Sequence, residues 1–171
     1  TREDASGAAL VRQLTDAGFE VVEHRVTVDG ANEVAAALTD LTNGFAGLVV
    51  STGGTGFSPR DQTPEGTRAV IEREAPGLAE AMRLVNPLGR LSRGVAGTLG
   101  ATLVLHTPGS PKGAAECLEA VIGVAPHAVR RMVEGHRVGA APAALNLARR
   151  QHLAVDPLHP QRAAFQRGAA Q

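Results

Sequence analysis

The sequence is poor in the residues on which several classes of protein depend. Cysteine occurs once, at Cys117, so no intrachain disulfide framework can form and the chain reads as reduced and cytosolic. Tryptophan and tyrosine are absent and phenylalanine occurs four times, which removes the aromatic platforms on which single-stranded nucleic acids stack. No uninterrupted apolar stretch approaches the roughly 18–20 residues of a membrane span. The opening Thr1-Arg2-Glu3-Asp4 has neither a signal-peptide core nor an initiator Met, so a trimmed or processed N-terminus is expected. Net charge is missing too, with 17 basic residues against 17 acidic ones, and this argues against a general nucleic-acid partner. Lysine is the last scarcity: Lys112 is the only one, and every other basic residue is arginine.

What is present is a chain of 171 residues with 43% hydrophobic residues and 20 glycines, enough for one domain with a core of its own. The neutral total hides an asymmetry. From residue 135 onward Arg137, Arg149, Arg150, Arg162 and Arg167 face only Asp156, so the acidic excess lies in residues 1–134. We therefore divide the chain into a domain over residues 1–137 and a basic, Ala/Pro/Arg-rich tail over 138–171, poorly ordered or docked, with no clear period beyond 143–150.

Hydrophobic spacing orders the rest. Ala8, Leu10, Val11 and Leu14 share a helical face that Gly18 ends, and Phe19 to Val26 reads as a strand. Val34, Ala37, Leu38 and Leu41 mark a second helix, and Gly47-Leu48-Val49-Val50 has the continuous apolar character of a buried parallel strand. A glycine loop follows, then Thr63-Pro64-Glu65 opens a helix. Another helix follows Pro76-Gly77, and residues 86–97 carry no readable pattern. The order then repeats: strand Ala101 to His106, glycine loop Thr107 to Gly113, and a helix through Ala115, Leu118, Val121 and Ile122. Alternating strands and helices predict an α/β domain with a mostly parallel sheet.

In such a sheet ligands bind beyond the carboxyl ends of the strands, where helix N-termini and loop N–H groups face anions. Both glycine loops fall there. Gly53, Gly54 and Gly56 allow backbone to approach a phosphate or a flat heterocycle, and Thr52 and Thr55 add hydroxyls; a tight turn without a ligand is the alternative. A carboxylate beside a phosphate cradle needs a cation between them, so Asp61 is a candidate magnesium ligand, or else a partner of Arg60 or Arg68 or a cap of the next helix. Asp29, at the end of another strand, is either a second carboxylate on that rim or an ordinary N-cap. Lys112, after Gly109 and Ser110, either meets a phosphate or is a solvated first-turn lysine. Cys117 lies in an apolar helical face and reads as core, the histidines show no metal spacing, and no Ser-His-Asp arrangement is evident.

Taken together, Thr52-Gly53-Gly54-Thr55-Gly56, Arg60-Asp61 with Thr63-Pro64-Glu65, Pro76 to Arg83, Leu91-Ser92-Arg93, Ala96-Gly97 and Pro108-Gly109-Ser110-Pro111-Lys112 resemble the Mog/MoaB family of molybdenum-cofactor biosynthesis proteins, whose fold the gephyrin G domain shares. Asp4-Ala5-Ser6-Gly7 and Pro126-His127-Ala128 resemble further blocks of that family, and the likeness covers roughly residues 4–134. The resemblance implies a three-layer α/β/α molybdopterin-binding-domain fold. It also implies magnesium-dependent transfer of AMP from ATP to the terminal phosphate of molybdopterin, with release of pyrophosphate. It gives Asp29 and Asp61 the roles of the required aspartates and of magnesium ligands, and places Thr52, Gly53, Gly54, Thr55, Gly56, Gly109, Ser110 and Lys112 around the substrate. It further implies a cytoplasmic homotrimer or hexamer, a molybdenum-insertion protein as partner, and neither nucleic acid nor membrane. A pterin-binding scaffold paralogue without catalysis is the alternative. Family members begin with a buried strand ahead of the Asp-x-Ser-Gly block, so a longer native N-terminus is expected.

Overall fold

The computed structural model describes residues 4–139 and 162–169. Helix α1, Ala5–Asp16, starts where the Asp4 carboxylate accepts the Gly7 N–H at 2.9 Å, satisfying one of the unpaired donors of a first turn. Gly18, at φ 85°, turns the chain into strand β1, Glu20–Val28. Helix α2, Ala31–Thr42, follows, then β2, Gly47–Thr52, and α3, Thr63–Arg68. The short strand β3, Arg73–Glu74, and helix α4, Pro76–Leu84, lead to a 3₁₀ turn, Pro87–Leu91. Strands β4, Ala96–Leu99, and β5, Thr102–Thr107, precede α5, Pro111–Ile122, and α6, Ala125–Gly139; β6, Arg162–Ala169, closes the order. Among the described residues no helix is long and apolar enough to cross a membrane.

The strands form one mixed sheet in the order β1-β6-β2-β5-β4-β3. The β1, β6, β2 and β5 strands run parallel, and β4 runs antiparallel to both of its neighbours, β5 and β3. Side-chain alternation divides the core between the two faces. Leu48 and Val50 of β2 and Leu103 and Leu105 of β5 pack with residues of α1, α4, α5 and α6, among them Leu10, Leu14, Met82, Leu118 and Val129. Val49 and Val104 point the other way, against Val34, Leu38 and Leu41 of α2. This gives the expected three layers. All six residues of β2 and of β5 are buried, as a continuous apolar run covered by helices on both sides requires. Each fully buried aliphatic side chain there contributes about 1.5–3 kcal/mol.

Two features depart from the sequence reading. Residues 86–97 carry the 3₁₀ turn and the start of β4, whose partners across the sheet are set by tertiary contact and not by any local period. The segment read as a tail contains β6, which lies parallel between β1 and β2. Arg-Ala-Ala-Phe-Gln-Arg-Gly-Ala has neither β-branched residues nor a clean alternation; what makes it a strand is two neighbours whose backbone groups both need partners. The 143–150 stretch and the rest of residues 140–161 lie outside the described residues.

Candidate active site

Register decides what meets at the carboxyl edge of the sheet. Ser51 pairs with His106 and Thr52 with Thr107, so the two glycine loops leave adjacent strands side by side. They touch through glycine: a Cβ built on Gly109 would lie 3.3 Å from the Gly53 Cα, and the Gly53 N–H donates to the Thr107 carbonyl at 3.1 Å. The Thr52 hydroxyl donates to the Pro108 carbonyl at 2.6 Å and the Thr107 hydroxyl to the Ser51 carbonyl at 2.9 Å. Around this seam opens a cleft of about 1000 Å³ whose lining includes Asp29, Gly53, Gly54, Thr55, Gly56, Asp61, Gly109, Ser110 and Lys112. Nine of the ten residues named from sequence thus converge on one cavity. Thr52 is the exception. It is 1% exposed and does not line the cleft, because alternation along β2 directs its side chain to the seam between the loops.

The first loop, from Gly53 to Gln62, is held at several points. Gly54, at φ 65°, accepts the Thr63 N–H on its carbonyl, and a Cβ at Gly54 would lie 2.2 Å from the Thr63 hydroxyl. Only glycine fits there. One Asp61 carboxylate oxygen accepts the Ser58 N–H at 2.8 Å and sits where a Cβ on Gly56 would crowd it. Asp61 does not cap α3, whose N-cap position is Gln62, and Arg68 spends its guanidinium on Glu74 at 3.1 Å. Those two alternatives for Asp61 fall away. Asp29 does not occupy the N-cap position of α2 either. That position is Gly30, at φ 144°, and the Ala31 N–H donates to the Gln62 side-chain oxygen at 3.1 Å.

Sequence reasoning named Arg93 only within a motif and overlooked what it holds. Its backbone N–H donates to the Thr55 carbonyl at 2.8 Å, its Nε to the Gly56 carbonyl at 2.6 Å, and its two terminal nitrogens reach the Asp61 carbonyl and the Glu65 carboxylate. The fork geometry of a guanidinium suits such multiple acceptance. Hydrogen bonding from Arg93 holds the Glu65 carboxyl below its ordinary range. His106 was overlooked as well. It is 2% exposed, with Nδ1 2.8 Å from the Ser51 hydroxyl and Nε2 2.8 Å from the Thr67 hydroxyl. Burial lowers its imidazole to about 3, so it is neutral.

The second loop is simpler. Ser110 is the N-cap of α5 and its hydroxyl accepts the Gly113 N–H at 3.2 Å. Lys112, exposed in the first turn, stands 3.8 Å from Glu116. Glu116 also accepts from the Asn86 amide at 3.1 Å. Cys117 is buried with its thiol against the Met82 carbonyl, and burial pushes it up to about 11, so it offers no thiolate nucleophile.

This pattern of loops has known counterparts. The profile of the family described as "Probable molybdopterin binding domain" matches residues 1–127. The chain belongs to that family. Its relatives include the molybdopterin adenylyltransferase of Helicobacter pylori strain J99, 36% identical over 134 residues, covering 74% of this chain and 76% of the relative. The molybdenum cofactor synthesis protein cinnamon of Drosophila melanogaster is 44% identical over 86 residues, covering 48% of this chain, which spans only 14% of cinnamon's length. Among solved structures, the molybdopterin biosynthesis enzyme MoaB of Thermus thermophilus superimposes with a TM-score of 0.72 at 45% identity, covering 77% of this chain and 86% of that one. The family's fold accounts for the three layers.

Proposed function

We propose that this protein acts in molybdenum-cofactor biosynthesis as a molybdopterin adenylyltransferase, joining AMP from ATP to the terminal phosphate of molybdopterin and releasing pyrophosphate. The observation that carries the reading is the convergence of Asp29, Asp61 and both glycine loops on one cleft, together with the adenylyltransferase named among the relatives. The chemistry is a displacement at the ATP α-phosphorus: the terminal phosphate oxygen of molybdopterin forms the new P–O bond as the bond to pyrophosphate breaks. Such a reaction needs positioning and charge neutralisation more than a protein nucleophile, and the cleft offers no activated one. Backbone N–H groups of the two loops and the α5 N-terminus bind the phosphates, and Lys112 adds a mobile positive charge at the rim.

The donor set fits magnesium. Among the described residues no group of three or more His, Cys, Asp or Glu side chains forms a cage, whereas Mg²⁺ commonly uses one or two carboxylates, waters and substrate phosphates. The Ser58 N–H holds the Asp61 carboxylate at the loop where phosphate would lie, in space that a side chain at Gly56 would take. Asp29 and Asp61 are the residues that would hold the ion, which would neutralise charge on the triphosphate. Assembly as a trimer or hexamer, a cytoplasmic location and a molybdenum-insertion partner complete the proposal.

The test is incubation of the chain with molybdopterin, ATP and magnesium. Pyrophosphate released in step with adenylyl-molybdopterin is expected. Tight molybdopterin binding with no pyrophosphate would replace the enzyme by a pterin-binding scaffold. Sedimentation at the mass of a single chain would overturn the oligomer.

A further inference from the structure

We infer that His106 is a positioning residue that locks the first glycine loop at both ends through a one-way hydrogen-bond chain, Ser51 to His106 to Thr67 to Thr63. The directions follow from proton counting. The Thr67 hydroxyl has one proton and donates it to the Thr63 carbonyl at 2.8 Å. It can therefore only accept from His106, so the ring proton lies on Nε2. Nδ1 is then an acceptor, and the Ser51 hydroxyl donates to it. Ser51 is the next-to-last residue of β2, just before the loop, and Thr63 begins α3 just after it. The chain thus ties the loop's entry on the sheet to its exit on the helix through side chains, beside the single backbone bond from the Thr63 N–H to the Gly54 carbonyl.

Three further observations support a lock in place of a proton relay. Ser51, His106 and Thr67 are each 3% exposed or less, so the chain is sheltered from water that would compete for it. The side chains stand on the α2/α3 face of the sheet, where β2 contributes Ser51, α3 contributes Thr67 and the charged Arg68, and Gly94 packs its backbone near the His106 carbonyl. No carboxylate is paired with the ring among the described residues, in contrast to His24 with Asp4. With Arg68 as its charged neighbour and no anion beside it, the imidazole has nothing to stabilise a proton and keeps one tautomer. The same loop is also held by Arg93, which bonds the Thr55, Gly56 and Asp61 carbonyls.

The inference deepens the reading of the cleft as a molybdopterin and ATP site, and rests on it for one arm of the test only. In the wild-type chain, ¹⁵N NMR of the histidine rings should show His106 as the Nε2–H tautomer with no titration between about pH 8 and 5. An Nδ1–H tautomer, or a midpoint near the ordinary value of about 6.5, would overturn the chain. His106→Leu fills the site without polar atoms, His106→Asn restores an amide near the Ser51 side and His106→Gln one near the Thr67 side. Leucine should speed hydrogen exchange at Gly53 to Gly56 and at Thr63 about tenfold relative to exchange in α5, corresponding to the loss of one buried hydrogen bond. It should lower kcat by a similar factor with KM for molybdopterin little changed, because the loop it loosens carries Asp61, and the two amides should each recover part of both effects. Loop protection unchanged in the leucine variant, or a loss spread evenly over the whole domain in all three variants, would reject the lock. If the wild-type chain releases no pyrophosphate, the proposed function fails while the NMR and exchange arms still decide the role of His106.

Discussion

The two loops at the carboxyl edge are built by different means although they leave adjacent, fully buried parallel strands. The loop after β2 is fastened by side chains from elsewhere in the sequence: Arg93 on its outer rim, Thr63 beneath Gly54, and His106 through Ser51 and Thr67. The loop after β5 is capped by its own helix through Ser110 and otherwise touches the neighbouring strand end and loop, through the Thr52 hydroxyl on the Pro108 carbonyl and the contact of Gly109 with Gly53. Long-range fastening suits a loop whose carboxylate, in the proposed function, must be placed to within a fraction of an ångström. Local capping suits a loop that presents amides and a flexible lysine. Rigidity and charge placement are thus concentrated on the Asp61 side of the cleft, and adaptability on the Lys112 side.

The contrast can be broken in several places. Asp61→Ala should have the largest effect: adenylyl transfer falls about a hundredfold or more, as when a group serving the transition-state charge is removed, while thermal unfolding moves little. Acid should come next, through His106. A base lowered by burial from its ordinary value to about 3 contributes stability that is complete above about pH 6.5 and is lost as pH falls toward 3. Its share should approach about 1.4 kcal/mol per pH unit, read as a falling denaturation midpoint that His106→Leu flattens. Gly54→Ala places a Cβ against Thr63 at positive φ and should cost about 1–3 kcal/mol, whereas Gly77→Ala, where a Cβ meets nothing within 4 Å, should not. Arg93→Ala should cost about 1–2 kcal/mol, discounted for its partial exposure, with the exchange of loop amides rising around Gly56 more than around Gly109. Lys112→Ala should change stability by less than about 0.5 kcal/mol and show itself in KM alone.

Much of this arrangement is legible in the sequence because its signals are local. Apolar runs at Leu48 to Val50 and Leu103 to Leu105, Gly18 after a helical face, and Pro after Thr63 each announce an element through its own backbone requirements, and the glycine loops fall where α/β sheets bind ligands. What stays hidden is set at long range. Strand β6 exists because β1 and β2 both need a partner, not because of its own residues. His106 sits in a strand like any buried residue until register brings it beside Ser51, and Thr67 lies in a helix too short to show a period. Arg93 lies in a stretch with no readable pattern, and its three side-chain acceptors belong to residues 28 to 37 positions away. Asp29 reads as a cap because Asp before a helix usually is one; Gly30 takes that position.

The central claim is that the Asp61 side of the cleft drives transfer and the Lys112 side serves binding. Single-turnover reactions with α-labelled ATP, molybdopterin and magnesium test it directly when wild type, Asp61→Ala and Lys112→Ala are followed side by side. The account predicts label passing to molybdopterin in the wild type at a rate that saturates with substrate. Lys112→Ala should reach nearly the same saturated rate at higher substrate concentration, and Asp61→Ala should bind molybdopterin yet transfer almost no label. Label transfer by Asp61→Ala at the wild-type rate would contradict it.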